Sequence, residues 1–267
     1  MKRYQVRPGT RFEWAHADPD DVSGAAESKL EAKEELAHRL QRLEELQELL
    51  FAEHRHKLLV VLQGMDTAGK DGVIRHVFSG VNPQGVRVAS FKAPSSTELD
   101  HDYLWRVHHE VPGRGEIALF NRSHYEDVLV VRVHGGISAE ECERRYRQIN
   151  EFERMLVEEG VTLLKFYLNV SRGEQKKRLA ERLSDPRKHW KFDYGDLRER
   201  ALWKEYERAY AELLEKTSTE FAPWYVIPAN HKGYRNLVVA QLLVSTLEDL
   251  QMSYPTPAID PATIQLD

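Results

Sequence analysis

Lys57-Leu58-Leu59-Val60-Val61-Leu62-Gln63 runs directly into Gly64-Met65-Asp66-Thr67-Ala68-Gly69-Lys70-Asp71-Gly72. The first seven residues are short and apolar, with β-branched residues at the centre, the pattern of a strand buried on both faces. The next nine have Gly-x-x-x-x-Gly-Lys spacing, between that strand and a helix expected over Asp71 to Phe78. This is the context that a phosphate-binding loop requires. Its glycines let backbone N–H groups converge on phosphate oxygens. The helix N-terminus adds partial positive charge, and Lys70 places an ammonium on the transferring phosphates. Two residues depart from the usual loop. Asp71 replaces the hydroxyl residue that normally meets Mg2+; a carboxylate there repels phosphate, so it is expected to point away or to act through metal or water. Asp66 lies inside the loop, as a metal ligand, as a base near an acceptor phosphate, or as a turn cap. Arg75, on the same helix, is grouped with the loop as a phosphate-binding residue.

Outward from this loop, buried strands alternate with helices. Further strands are expected at Val86 to Phe91, Glu116 to Phe120, Val161 to Asn169 and Trp224 to Ile227. Helices are expected at Glu27 to Ala52, Thr97 to His109, Ala139 to Glu159, Gly173 to Leu183, Leu197 to Thr217 and Tyr234 to Met252. The alternation gives an α/β fold, a parallel five-stranded sheet with helices on both faces. Residues 1–26 read as an irregular arm lying on the domain, 27–252 as a single domain, and 253–267 as an extended or disordered tail. The chain's 267 residues, 41% hydrophobic and 30% charged, are typical of a soluble globular protein. The longest apolar run is Leu58 to Leu62, too short to span a bilayer, and no membrane partner is expected. The start has no apolar leader segment, and Cys142, the one cysteine, excludes intramolecular disulfides and cysteine metal cages. A cytoplasmic location is the expectation. A net charge of −5 argues against broad coating of nucleic acid.

A second polar cluster, Asn121-Arg122-Ser123-His124-Tyr125-Glu126-Asp127, follows the strand that ends at Phe120. Ligands of open α/β sheets gather beyond the carboxyl ends of strands. Asp127 is a candidate Mg2+ ligand and Arg122 a phosphate clamp with a planar fork. Glu126 is placed to meet an acceptor nucleotide or to support the site. His124 and Tyr125 read as packing residues. Residues 171–191 hold eight Lys/Arg, among them Arg178, Arg182, Lys188 and Lys191, against three acids. Such a run is usually a solvated face. Around Asp185-Pro186 it reads instead as a mobile lid, about 171–200, that brings cations to a transferring group and excludes water. The excess of charge suggests a substrate with many phosphates.

The phosphate loop, the Asn121 to Asp127 cluster and Arg187-Lys188-His189-Trp190-Lys191 together resemble the polyphosphate kinase 2 family, over about residues 27–250. The resemblance implies a P-loop kinase-like three-layer sandwich with a helical basic lid. It implies transfer of a terminal phosphate between inorganic polyphosphate and a nucleotide, reversibly, with Mg2+ or Mn2+. Both aspartates in and after the loop are features of that family. By the same resemblance Asp66 and Asp127 are the metal and phosphate-chemistry carboxylates, Lys70 and Arg122 phosphate clamps, and Arg178 and Arg182 transition-state cations. Lys188 and Lys191 bind the chain of phosphates, and Gly64, Met65, Thr67, Ala68, Gly69, Asp71, Gly72 and Asn121 bind phosphate or nucleotide. Many members begin the second cluster with Asp where this chain has Asn121, which shifts weight to Asp127. The version found here looks most like the subgroup that phosphorylates both AMP and ADP, giving ADP and ATP. Homo-oligomers are implied too; the Leu-rich helix at 27–52 is a candidate interface that core packing explains equally well. The competing readings are an ATP-dependent nucleoside or nucleotide kinase, and a nucleotide-binding module without chemistry.

Overall fold

The structure is a computed structural model that describes residues 2–24, 28–259 and 264. Five parallel strands form one sheet in the order β2-β3-β1-β4-β5. They are β1 (Lys57–Gln63), β2 (Val86–Ser90), β3 (Ile117–Asn121), β4 (Val161–Asn169) and β5 (Trp224–Pro228). Leu58 to Leu62 of β1 are fully buried, as the unbroken apolar run predicts for a central strand. Leu62 pairs with Asn121 of β3, and Gln63 with Tyr167 of β4. The chain leaves β1 toward the β3 side and later crosses β1 to reach β4. Connections therefore diverge at the carboxyl end of β1, where an open α/β sheet leaves its crevice.

Helices cover both faces. One layer holds α1 (Lys29–Glu53), α2 (Lys70–Val77) and α10 (Lys232–Asp249), with α10 packed against the other two. The other holds α6 (Ala139–Glu158), packed on β4, and α9 (Trp203–Thr217). Ser28 and Glu31 form a capping box at the start of α1. Leu43, Leu46 and Leu50 are buried within the chain, so core packing accounts for the leucine stripe. Ahead of α1, the arm lies along β5: Val6 N–H donates to the Trp224 carbonyl at 2.8 Å, and Gln5 bridges Tyr225 antiparallel.

Two expected helices are interrupted. Residues 97–109 form α3 (Ser96–Leu99) and α4 (Trp105–His108), because the Asp102 side chain accepts the Leu104 N–H at 2.9 Å and competes with helical bonding. Residues 197–217 divide at Leu202 into α8 (Tyr194–Ala201) and α9, with Asp193 capping Gly195. Between the ends of β3 and α6 the chain makes a 3-10 turn at His124–Val128 and α5 (Val130–Val133). The basic segment forms α7 (Arg172–Ser184), a 3-10 turn at Pro186–Lys191, and α8. The expected tail at 253–267 falls partly outside the described residues; those described, 253–259 and 264, hold no helix or strand.

Candidate active site

The phosphate loop joins β1 to α2 and bends through three positive-φ residues, Gly64 (φ 151°), Thr67 (φ 63°) and Gly69 (φ 108°). At Gly64 a Cβ would lie 2.8 Å from the Leu168 carbonyl oxygen. At Gly69 and Gly72 it would meet the Arg235 guanidinium, at 1.9 and 3.0 Å. These glycines thus admit an arginine from α10 beneath the loop, on the side where their side chains would be. The Lys70 ammonium is buried and donates back to the Gly64 carbonyl at 2.6 Å. Burial and the charge of Arg122 hold its pKa below the ordinary lysine range.

Arg178, expected to be a transition-state cation, has all its donor groups engaged. Its Nε donates to Glu174 at 2.8 Å, Nη1 to the Thr67 and Ala68 carbonyls, and Nη2 to the Ala229 and Asn230 carbonyls. It therefore ties the loop to the end of β5. Ala68 is buried behind the loop, its carbonyl accepting from both Arg178 and Arg235.

At the end of β3 the backbone turns sharply. Arg122 sits in the left-handed region (φ 62°), a conformation costing a non-glycine residue about 1–2 kcal/mol. Its N–H donates to the Leu62 carbonyl at 3.1 Å, and its guanidinium bonds Asp66 at 3.0 Å and Glu126 at 3.3 Å. The loop carboxylate and the strand-end clamp are thus one unit. Asn121 donates to Asp71 at 2.7 Å, so Asp71 faces the site rather than pointing away.

Two cavities meet at Asp66 and Arg122. The larger, about 740 Å³, is a basic cleft that takes Lys70, Arg178, Arg182, Lys188 and Lys191 into its wall. Asp71 and Asn121 line it as well. Arg182 donates to Asp196 at 3.2 Å, Lys188 pairs with Asp185 at 3.3 Å, and Lys191 lies over the Trp190 ring. The smaller, about 160 Å³, has Trp203, Tyr206 and Tyr210 of α9 on one side and Gly64, Met65 and Glu126 on the other. Burial pushes the Glu126 carboxyl up, against the pull of Arg122 and Lys70.

The sequence profile of the family described as polyphosphate kinase 2 matches residues 26–255. The chain belongs to the polyphosphate kinase 2 family. It is 58% identical over 257 residues to an AMP/ADP-polyphosphate phosphotransferase of Meiothermus ruber, covering 96% of each chain. It is 45% identical to an ADP-polyphosphate phosphotransferase of Rhodopseudomonas palustris, covering 96% of this chain and 93% of that one. The crystal structure of polyphosphate kinase 2 from Arthrobacter aurescens superposes with a TM-score of 0.93 at 49% identity, over 97% of this chain and 92% of that one.

Within this polyphosphate kinase 2 fold, three expected site residues stand apart from the cavities: Ala68, behind the loop, and Asp127 and Arg75. Asp127 lines neither; its carboxylate faces Arg106 at 3.7 Å, and Arg145 donates to its backbone carbonyl. A 3-10 turn sends neighbouring residues about 120° apart, so Glu126 faces the site while Asp127 faces α4 and α6. Burial pushes the Asp127 carboxyl up, partly offset by Arg106 and Arg145. Arg75 is exposed, because five residues along a helix from Lys70 turn it to another face. His124 and Tyr125 are fully buried: Tyr125 donates to Glu153 at 2.6 Å, and Lys165 donates to the same carboxylate at 2.6 Å. Sequence reasoning missed the aromatic wall at 203, 206 and 210, whose helical spacing is that of core residues. It also missed Arg235, whose one visible mark is a cation two residues ahead of the apolar run of α10.

Among the described residues no group of three or more His, Cys, Asp or Glu forms a cation cage. Asp66 and Asp71 both face the basic cleft, each with one carboxylate oxygen hydrogen-bonded to Arg122 or Asn121. One or two carboxylates completed by phosphate oxygens is how Mg2+ is commonly held. The donor set fits such an ion.

Proposed function

We propose that this chain is a polyphosphate-dependent nucleotide kinase, passing terminal phosphoryl groups from inorganic polyphosphate to AMP and ADP, reversibly. The observation that carries the reading is the junction of a basic cleft and an aromatic-walled pocket at Asp66 and Arg122. A polyanion suits the cleft. The pocket has room for a base-sized ring rather than a whole nucleotide, with Tyr and Trp faces to stack on it. The name of the Meiothermus ruber relative gives this substrate pair, and that of the Rhodopseudomonas palustris relative gives ADP.

The terminal phosphate lies against the loop, with Lys70 turning from the Gly64 carbonyl to its oxygens. Arg122, anchored at both Asp66 and Glu126, orients donor and acceptor for in-line transfer. The acceptor oxygen of AMP or ADP is largely anionic at neutral pH, so no general base is required. A divalent cation, Mg2+ or Mn2+, held by Asp66 and Asp71, would neutralise phosphate oxygens. Residues 171–200 act as the lid: Arg182, Lys188 and Lys191 follow the phosphate chain, and closure excludes the water that would hydrolyse it. Among the described residues no helix is long and apolar enough to cross a membrane. The nucleotide substrates and the single buried Cys142 favour the cytoplasm, and assembly as a homo-oligomer belongs to the same proposal.

A donor swap tests it. ADP with polyphosphate and Mg2+, and no ATP, should yield ATP. Nucleotide phosphorylation that requires ATP and ignores polyphosphate would refute the reading.

A further inference from the structure

Arg235 lies in the first turn of α10, is 2% exposed, and sits directly beneath the phosphate loop. Its acceptors are the Ala68 carbonyl at 3.2 Å and the Asn236 side-chain oxygen at 2.8 and 3.1 Å, all neutral. Among the described residues it has no carboxylate within ion-pair distance. Burial, with the repulsion of another cation, Arg178, pushes its pKa down to about 10. The contrast with Lys165 is direct: that buried lysine lies 2.6 Å from Glu153.

A buried cation without a counter-ion costs stability. A fold that needed only hydrogen bonds here could use a neutral amide. Instead Gly69 and Gly72 leave out their side chains, and the guanidinium takes that space against the loop backbone. Gly69 and Gly72, which the guanidinium abuts, themselves line the cleft, so its field reaches the cleft through the loop.

We infer that Arg235 is an electrostatic positioning residue whose missing counter-ion is the bound polyphosphate itself: it holds the loop from below and raises its affinity for a polyanion, without touching substrate. This rests on the polyphosphate reading above. A group acting equally on ground and transition states changes KM more than kcat.

The test uses Arg235→Gln, which removes the charge and keeps an amide donor, and Arg235→Lys, which keeps the charge and loses the fork. Melting temperature is measured with and without long-chain polyphosphate, beside its Kd and steady-state kinetics. In Arg235→Gln the free protein should melt at or above the wild-type temperature. Its polyphosphate Kd and KM should rise on the order of tenfold, as for a unit charge roughly 10 Å away at an effective dielectric of about 20. The nucleotide KM should hold, and Arg235→Lys should bind polyphosphate within about threefold of wild type. Two results overturn the inference alone: a Gln variant that binds polyphosphate like wild type, or Gln and Lys variants that both destabilise the free protein and lose kcat alike. A wild-type protein that polyphosphate neither binds nor stabilises would overturn the substrate reading and this inference with it.

Discussion

Replacing Arg178 by alanine separates two roles that a cation on the lid side of a kinase can have. If it met the transition state directly, its loss would lower kcat and leave the fold intact. The structure gives it a different task, since five hydrogen bonds commit its guanidinium to Glu174 and to four backbone carbonyls of residues 67, 68, 229 and 230. The Ala68 carbonyl keeps Arg235 as a donor; the other three carbonyls lose this one. At about 1 kcal/mol for each acceptor so deprived, one buried and two part-buried, the cost is about 3 kcal/mol, before the loss of the Glu174 pair. For a domain of this size that lowers the melting temperature by roughly 6–12 °C. Arg178→Lys should fall by a similar amount, because an ammonium cannot reproduce a planar five-donor fork. Scanning calorimetry measures this, with kinetics run well below the melting point. An Arg178→Ala protein that melts within a degree or two of wild type yet loses a hundredfold or more in kcat would refute the loop-tying role and restore that of a transition-state cation.

Lys70→Ala should slow turnover by on the order of a hundredfold or more, as loss of one preorganised cation does; a near-normal rate would remove the phosphate-loop assignment. Asp66→Asn should abolish most activity and raise the Mg2+ concentration needed for the remainder, whereas Asp127→Asn should leave the Mg2+ dependence unchanged. Titration of activity with Mg2+ compares the two, and a shifted dependence for Asp127→Asn would return the metal to the sequence-based site. Neutralising Lys188 and Lys191 together should raise the KM for long polyphosphate and flatten its salt dependence, by analogy with counterion release. Kinetics at two salt concentrations would show neither change if these residues form only a solvated face.

The sheet and the loop were legible because their signals are local. The run from Leu58 to Leu62 and the spacing from Gly64 to Lys70 each fix a conformation within a few residues. Arg122 and Asp66 were legible as residue types, though not as an ion pair, since 56 positions separate them and only the pairing of β1 with β3 brings them together. Asp127 lies outside both cavities because adjacency in sequence to Glu126 does not survive a 3-10 turn. Asp71 faces the cleft because Asn121 bonds it there, a contact that no local rule anticipates. Arg178 and Arg182 look alike in a basic run and both reach the cleft wall; Arg178 is 5% exposed with its donors committed to the loop and the end of β5, while Arg182 is held by Asp196 and the Lys191 carbonyl of the lid. Arg235 and the aromatic wall of α9 lie far from the motif in sequence and resemble core residues by spacing.

Direct transfer from polyphosphate to nucleotide is tested by following phosphorus from donor to acceptor. AMP is supplied as the only nucleotide, with polyphosphate and Mg2+, and the reaction is observed by 31P NMR. ADP should form first and ATP after it. Each new nucleotide anhydride bond should match the loss of one polyphosphate residue, with no equivalent release of inorganic phosphate. Loss of polyphosphate to free phosphate without ADP, or ADP formation that begins only after ATP is added, would contradict transfer between the two cavities at Asp66 and Arg122.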